Sequence, residues 1–224
     1  MTPTNSRLAA VVDEHLRPLS RQRPSLQFAG AHSAKGARTI HAILRAAEEV
    51  FTEYGHAGLS LRQVAARSGV TVGNLNYYFP SKRALLDAML RESLADYVDA
   101  HIDQVFGEDI SPMEALQKVV AFYMRTARGR HRLYFQIWGF AASDDDARLL
   151  VADLYRSVGR FIRALIAAAN PALTDDEARR AVITIFSLEE GMKLFIGLSP
   201  ADDPTLSHAE EEIQRLTRQI VGGA

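Results

Sequence analysis

Apolar residues recur at spacings of three and four from about residue 38 to the C-terminal end, and strand-like alternation is scarce, so the pattern predicts an all-α chain. Ile40, Ile43, Leu44, Ala47, Phe51 and Tyr54 share one face of a first helix over about 37–54, with Gly55 as its stop. Ser60 and Gln63 have capping-box spacing and open a short helix that ends at Gly69, and Thr71 caps the next, through Tyr78. Pro80 prevents continuation. Ser81 then caps a long helix bearing Leu85, Leu86, Met89, Leu90, Leu94, Val98, Ile102 and Val105, which closes over Gly107 to Ser111. Five more helices are predicted: from Ser111 and Pro112 to near Gly129, a shorter aromatic-rich one over about 132–142, from the Asp144–Asp146 run to Asn170, from the Thr174/Glu177 capping box to about Gly197, and from Ser207, paired with Glu210, to Val221. Residues 1–36 stand apart as an N-terminal extension, with a short helix over about 6–19 and a flexible basic linker through Gly36.

Composition narrows the function. Of 224 residues, 47% are hydrophobic and 24% charged, enough apolar material for a core and too much for a disordered chain. There is no cysteine, which excludes a disulfide framework, thiol catalysis and Cys-ligated metal. The longest apolar run, around Ala181 to Leu188, falls short of the roughly 18 residues of a membrane span. An N-terminal run from Leu8 to Val12 is interrupted by Asp13, Glu14 and His15 before it reaches signal-peptide length, so a cytoplasmic protein is expected. The net charge of −1 divides unevenly: residues 1–83 carry 11 Lys and Arg against 5 Asp and Glu, and residues 84–224 carry 15 against 22. The N-terminal third is therefore basic enough to meet phosphates, and the remainder is acidic.

The informative stretch is SLRQVAARSGVTVGNLNYYFPSKR, Ser60 to Arg83. Two short helices flank a three-residue turn containing Gly69, with small Ala65 at the crossing and Val64, Val70 and Leu75 available as a shared core; this is helix-turn-helix spacing. The second helix of such a unit enters a major groove about 12 Å wide, its N-terminal residues nearest the base edges. Those residues are Thr71, Val72, Gly73 and Asn74, with Asn76 and Tyr78 a turn on. An asparagine amide can pair with adenine N6 and N7, or hydrogen-bond within its own helix instead. Tyr77 and Phe79 are expected to pack into the small domain. Lys82, following a cap, suits a phosphate contact. Arg17, Arg21, Arg23, Lys35 and Arg38 form a basic run that either reaches adjacent DNA or serves as a solvated linker.

Across about residues 38–90, through FTEYG, LRQVAARSGVTVGNLNYYF and PSKRALL, the chain resembles the tetracycline-repressor (TetR) family of transcriptional regulators. The resemblance implies DNA-facing positions at Thr71, Gly73, Asn74, Asn76, Tyr78 and Lys82, with Arg38, Thr39 and Arg62 at phosphates; Ser60 and Val72 complete the candidate set. Asn74 and Asn76 depart from the family pattern, so base preference does not carry over. It also implies three divisions: the extension 1–36, a three-helix DNA-binding domain over 37–83, and a larger helical ligand-binding and dimerisation domain over 84–224.

The helix from Thr174 is apolar almost all round, which calls for burial on more than one side, and the resemblance assigns helices about 174–197 and 207–221 to a homodimer interface. Residues 122–140 hold six of the chain's eighteen aromatics. By resemblance an effector pocket lies among these middle helices, with Phe122, Arg125, Phe135, Trp138, Phe140 and Glu190 as candidate ligand contacts. The expected function is a ligand-responsive repressor that binds double-stranded palindromic DNA as a dimer and is released by a small molecule. The alternative is an effector-independent regulator controlled by abundance or a protein partner. No nucleophile elbow, phosphate loop or paired-histidine motif argues for an enzyme, and neither cofactor nor metal is expected: His101 lies between Asp99 and Asp103, but residues two apart on a helix point away from each other.

Overall fold

A computed structural model describes residues 3–27, 33–105, 110–200 and 202–222. Among these, eleven α-helices and one 3-10 turn, Pro204–Leu206, make up the regular structure, without strands. The helices are α1 (Pro3–His15), α2 (Arg17–Arg21), α3 (Pro24–Gln27), α4 (Ala34–Gly58), α5 (Leu61–Ser68), α6 (Val72–Tyr78), α7 (Lys82–Val105), α8 (Pro112–Ala141), α9 (Asp145–Ala169), α10 (Asp175–Leu198) and α11 (Ala209–Gly222). Residues 28–32 of the expected linker and the helix end expected at Gly107 lie outside the described residues.

Local chemistry accounts for most boundaries. Ser33 caps α4 by accepting from the Gly36 N–H at 3.0 Å, so the helix begins before the expected Ala37. Its regular part stops at Gly55, whose φ of 69° and ψ of 179° only glycine adopts without strain. A Cβ there would also lie 2.6 Å from Gln136 Oε1. Ser60/Gln63 and Thr174/Glu177 both form complete capping boxes. Ser81 accepts from the Ala84 N–H at 3.1 Å, Ser111 from Glu114 at 3.3 Å and Asp144 from Ala147 at 2.9 Å, each satisfying a helix-start donor.

Besides the earlier start of α4, two places depart from expectation: the N-terminal extension, expected as one helix over about 6–19 and a flexible linker, holds three helices, α1–α3, and the last helix starts later. The division expected between a helix ending near Gly129 and another over about 132–142 is present as a kink: Arg130 (φ −130°, ψ 15°) leaves helical torsions and splits α8 into two helical stretches. The last helix begins at Ala209 and not at Ser207, because the Ser207 hydroxyl donates to the Pro204 carbonyl at 2.7 Å within the 3-10 turn.

The chain divides into two compact units that alternate along the sequence. One comprises residues 18–99 and 132–154, the other residues 1–17, 100–131 and 155–224. The first holds α4, α5, α6 and most of α7 around Ile40, Ile43, Leu44, Phe51, Leu75 and Leu85. In the same unit, Phe140 packs edge-on to Phe51 and stacks on His56. The second is built around Tyr123, Met124, Phe161, Ile162, Leu165, Ile185 and Ile213, with Val12 and Leu16 of the N-terminal extension fully buried.

Candidate nucleic-acid interface

The helix-turn-helix is assembled by its own caps. Gly69 ends α5 in the left-handed conformation (φ 71°, ψ 22°), which lets the Val70 N–H return to the Ala65 carbonyl at 3.1 Å. Two residues later the Thr71 Oγ1 accepts from the Asn74 N–H at 3.1 Å and fixes the start of α6. Val64, Ala65, Leu75 and Phe79, all at most 2% exposed, seal the pair from beneath. Leu75 and Phe79 are four residues apart and define the inward face. Thr71, Val72, Gly73, Asn74 and Asn76 are accordingly exposed, and Tyr78 is half-buried.

Tyr77 corrects an expectation. It is 74% exposed and does not pack into the small domain; its ring meets that of Tyr78 edge-on at 5.1 Å. The reason was present in the sequence: at two residues from Leu75 it falls on the opposite side of the helix from the Leu75/Phe79 face. Phe79 is fully buried, as expected.

The flanking candidates occupy several environments. Arg62 is exposed on α5. Ser60 is engaged in its capping box, where its hydroxyl donates to Gln63 Oε1 at 2.6 Å. The Lys82 ammonium donates to the Ala57 carbonyl at 3.1 Å, which steers it toward the end of α4. Thr39 donates to the Lys35 carbonyl at 3.0 Å within its helix. Arg38 lines an open groove of about 690 Å³ with His41, Arg45, Glu49, Arg67 and Ser25. Sequence reasoning named only Arg38 of this group, although residues 38, 41 and 45 share a helical face. Arg67 also donates to Glu53 at 2.9 Å.

Ion pairs anchor the unit. Arg83 reaches both Asp144 and, at 2.7 Å, Asp146; its hydrogen bond and the Ala147 N–H hold the Asp144 carboxyl below its ordinary pKa. Arg23, expected either as a DNA arm or as solvated linker, is instead 18% exposed and donates to Glu92 (3.2 Å), Asp96 (2.5 Å) and Asp99 of α7. Burial works against its charge, but the hydrogen bonds and charges of Asp96 and Asp99 outweigh it, and its pKa lies above the ordinary arginine value. The three acidic partners recur every three or four residues and so share one side of α7. Arg17 pairs with Asp13.

The candidate ligand residues do not form one group within either unit. Phe135, Trp138 and Phe140 belong to the unit containing α4–α6, where the Phe135 and Trp138 rings lie 5.8 Å apart. Phe122, Arg125 and Glu190 belong to the other. There, Arg125 is exposed and 3.8 Å from Glu210, Phe122 meets His101 edge-on at 4.9 Å, and Glu190 accepts from Tyr155 (2.9 Å) and Lys193 (2.7 Å). Glu189 and Lys193 are buried, and the nearly apolar reading of α10 passed over Lys193.

Residues 43–89 match the family model described as bacterial regulatory proteins, tetR family. The chain is 38% identical over 87 residues to the HTH-type transcriptional regulator RutR of Escherichia coli, a match spanning 39% of this chain and 40% of RutR. To the HTH-type transcriptional regulator BetI of Escherichia coli it is 26% identical over 195 residues, covering 86% of this chain and 94% of BetI. A solved transcriptional regulator from Pseudomonas aeruginosa PAO1 shares the fold with a TM-score of 0.69 at 17% identity, covering 82% of this chain and 88% of the other.

Proposed function

We propose that the chain is a transcriptional regulator of the tetR family, whose model its residues 43–89 match, and that it acts as a cytoplasmic repressor, not an enzyme, that reads palindromic double-stranded DNA as a homodimer. The observation that carries this is α6: an exposed, polar outer face of Thr71, Gly73, Asn74 and Asn76 held on a fully sealed apolar underside. Val72, Tyr77 and Tyr78 add apolar and aromatic surface for thymine methyls and sugars. Arg38, Thr39, Ser60, Arg62 and Lys82 flank it as phosphate contacts, with residues 37–83 as the DNA-binding domain. Among the described residues no helix is long and apolar enough to cross a membrane.

Dimerisation is supported by α10. Ile183, Leu194, Phe195 and Leu198 are 66%, 46%, 60% and 72% exposed. At about 100° per residue they fall within about 120° of arc, an apolar stripe wide enough to receive a partner helix. On the same side a Cβ at Gly191 would meet nothing within 4 Å, so a second backbone has room to approach. Helices α10 and α11 pack on each other and supply the interface.

Release from DNA is assigned to a small effector bound within 84–224, in the unit holding Phe122, Arg125 and Glu190. Helix α7 begins at the DNA-binding domain and runs on into that unit, so a ligand that prefers one position of α7 shifts operator affinity by its differential affinity for the two states. A second reading, regulation without an effector, draws on Phe140, which is 5% exposed against Phe51 and His56 and leaves no space in that part of the aromatic segment. Selecting bound duplexes from genomic fragments and measuring anisotropy tests the proposal. Sequence-specific binding with two half-sites about 34–36 Å apart is expected, and binding without sequence preference refutes it.

A further inference from the structure

Helix α10 carries two adjacent carboxylates and a lysine into an environment built from aromatic rings. Glu189 is 2% exposed and Lys193 5% exposed. The Lys193 ammonium donates to Glu190 Oε1 at 2.7 Å and lies 5.4 Å from the centre of the Tyr123 ring. Tyr155 also donates to Glu190 Oε1, at 2.9 Å, and its ring meets Phe186 at 6.0 Å. His101, fully buried, packs against Tyr123 at 4.6 Å. All these residues belong to one compact unit.

The two carboxylates receive few hydrogen bonds. Both donors named above converge on one oxygen, Glu190 Oε1. Glu190 Oε2 and Glu189 Oε1 are buried and have no hydrogen-bond partner among the described residues. Buried acceptors of this kind are costly, and two carboxylates facing one ammonium leave an excess of negative charge. A chain selected for stability alone gains from an apolar residue at 189. Burial raises the pKa of Glu189 well above the ordinary carboxyl value, with Lys193 pulling it down and Glu190 adding to the rise. What is missing is a positive group with N–H donors. The Lys193 contact with Tyr123 already shows how such a group is received, with its charge over an aromatic face and its N–H on a carboxylate.

We propose that Glu189 and Glu190, with the rings of Tyr123 and Tyr155, form the recognition site for an organic cation bearing N–H donors, an ammonium or amidinium compound with a compact apolar body. Its donors satisfy Glu189 Oε1 and Glu190 Oε2, and its charge competes with Lys193 for the Tyr123 face. The site names the chemical class of the effector, and it rests on the reading that this unit binds one.

The test is a charge series of nearly equal shape, phenethylamine, 2-phenylethanol and phenylacetate, titrated calorimetrically into the full chain. Binding by the amine alone is the expected result, weakened at least tenfold by Glu189→Gln or Glu190→Gln. Lys193→Met removes the competing internal cation and is expected to tighten amine binding several-fold, which a purely structural lysine does not do. Phenylacetate binding as well as the amine, or no binding by the amine to the unmodified chain, overturns the proposal whether or not the variants fold. Anisotropy on selected operator DNA in the same titrations separates the two readings. Amine binding with no change in operator affinity leaves the cation site standing and removes effector control, whereas operator release by phenylacetate alone does the reverse.

Discussion

The guanidinium of Arg23 donates to the carboxylate of Glu92 at 3.2 Å across 69 residues of sequence, joining the N-terminal extension to α7. Ser25 adds its backbone N–H at 3.2 Å and its hydroxyl at 2.9 Å to the same carboxylate. Glu92 is only 5% exposed, so its carboxyl group is held inside the protein by these partners.

Removing that partner is therefore expected to be costly. Arg23→Ala leaves a buried carboxylate with only Ser25, and breaking a fully buried pair typically costs about 3–5 kcal/mol. With Asp96 and Asp99 half exposed, a loss of about 2–3 kcal/mol is expected, measured by urea unfolding. The same variant is expected to keep the wild-type salt dependence of DNA binding; a slope lowered by about 0.9 would instead make Arg23 a phosphate contact.

The α10 stripe gives a prediction about assembly. Leu194→Glu combined with Phe195→Glu places charges on the exposed apolar face without touching the core. Light scattering is expected to report a monomer, with operator affinity falling because the two half-sites are no longer linked. A double variant that stays dimeric would place the interface elsewhere.

Stability should depend on pH through Glu189. Its folded pKa is raised above the ordinary value of 4.5, so in the interval above that value the native state holds a proton that the unfolded chain has lost. Stability then falls as pH rises through that interval and levels off above the folded pKa. Glu189→Gln removes this slope. Its melting temperature is expected to match wild type near the ordinary carboxyl pKa and to exceed it at neutral pH, the gap corresponding to about 1–3 kcal/mol for a buried, poorly satisfied charged acceptor. A gap that does not change with pH contradicts this.

Gly55 offers a test of the first unit's packing. Gly55→Ala forces an L-residue to φ 69° and brings its Cβ to 2.6 Å from Gln136 Oε1. A loss of about 1–3 kcal/mol is expected from backbone strain alone. Adding Gln136→Ala is expected to recover only the steric part, a separation that a double-mutant cycle measures.

The caps made much of this fold legible. Ser60/Gln63, Gly69, Thr71, Ser81 and Thr174/Glu177 signal boundaries by short-range hydrogen bonds, which depend on residues three or four apart and survive any tertiary arrangement. Leu75 and Phe79 define the inward side of α6, a spacing that turns Tyr77 outward against expectation. Legibility failed where long-range contacts decide. Arg23 reads as a linker cation until α7 places Glu92, Asp96 and Asp99 beside it. The break expected near Gly129 falls at Arg130. Six aromatics close in sequence fell into two units, since a helix of 30 residues passes from one to the other.

The central claim is that α6 reads base edges. Anisotropy with the selected duplex, comparing wild type with the Asn74→Ala, Asn76→Ala double variant over a salt series, tests it most directly. Each bidentate amide contact is worth about 1–3 kcal/mol, so a loss of specific affinity of about tenfold or more is predicted. The salt slope should stay unchanged, because the amides carry no charge to exchange for counterions. Wild-type affinity and wild-type preference for the selected duplex in the double variant would contradict the account.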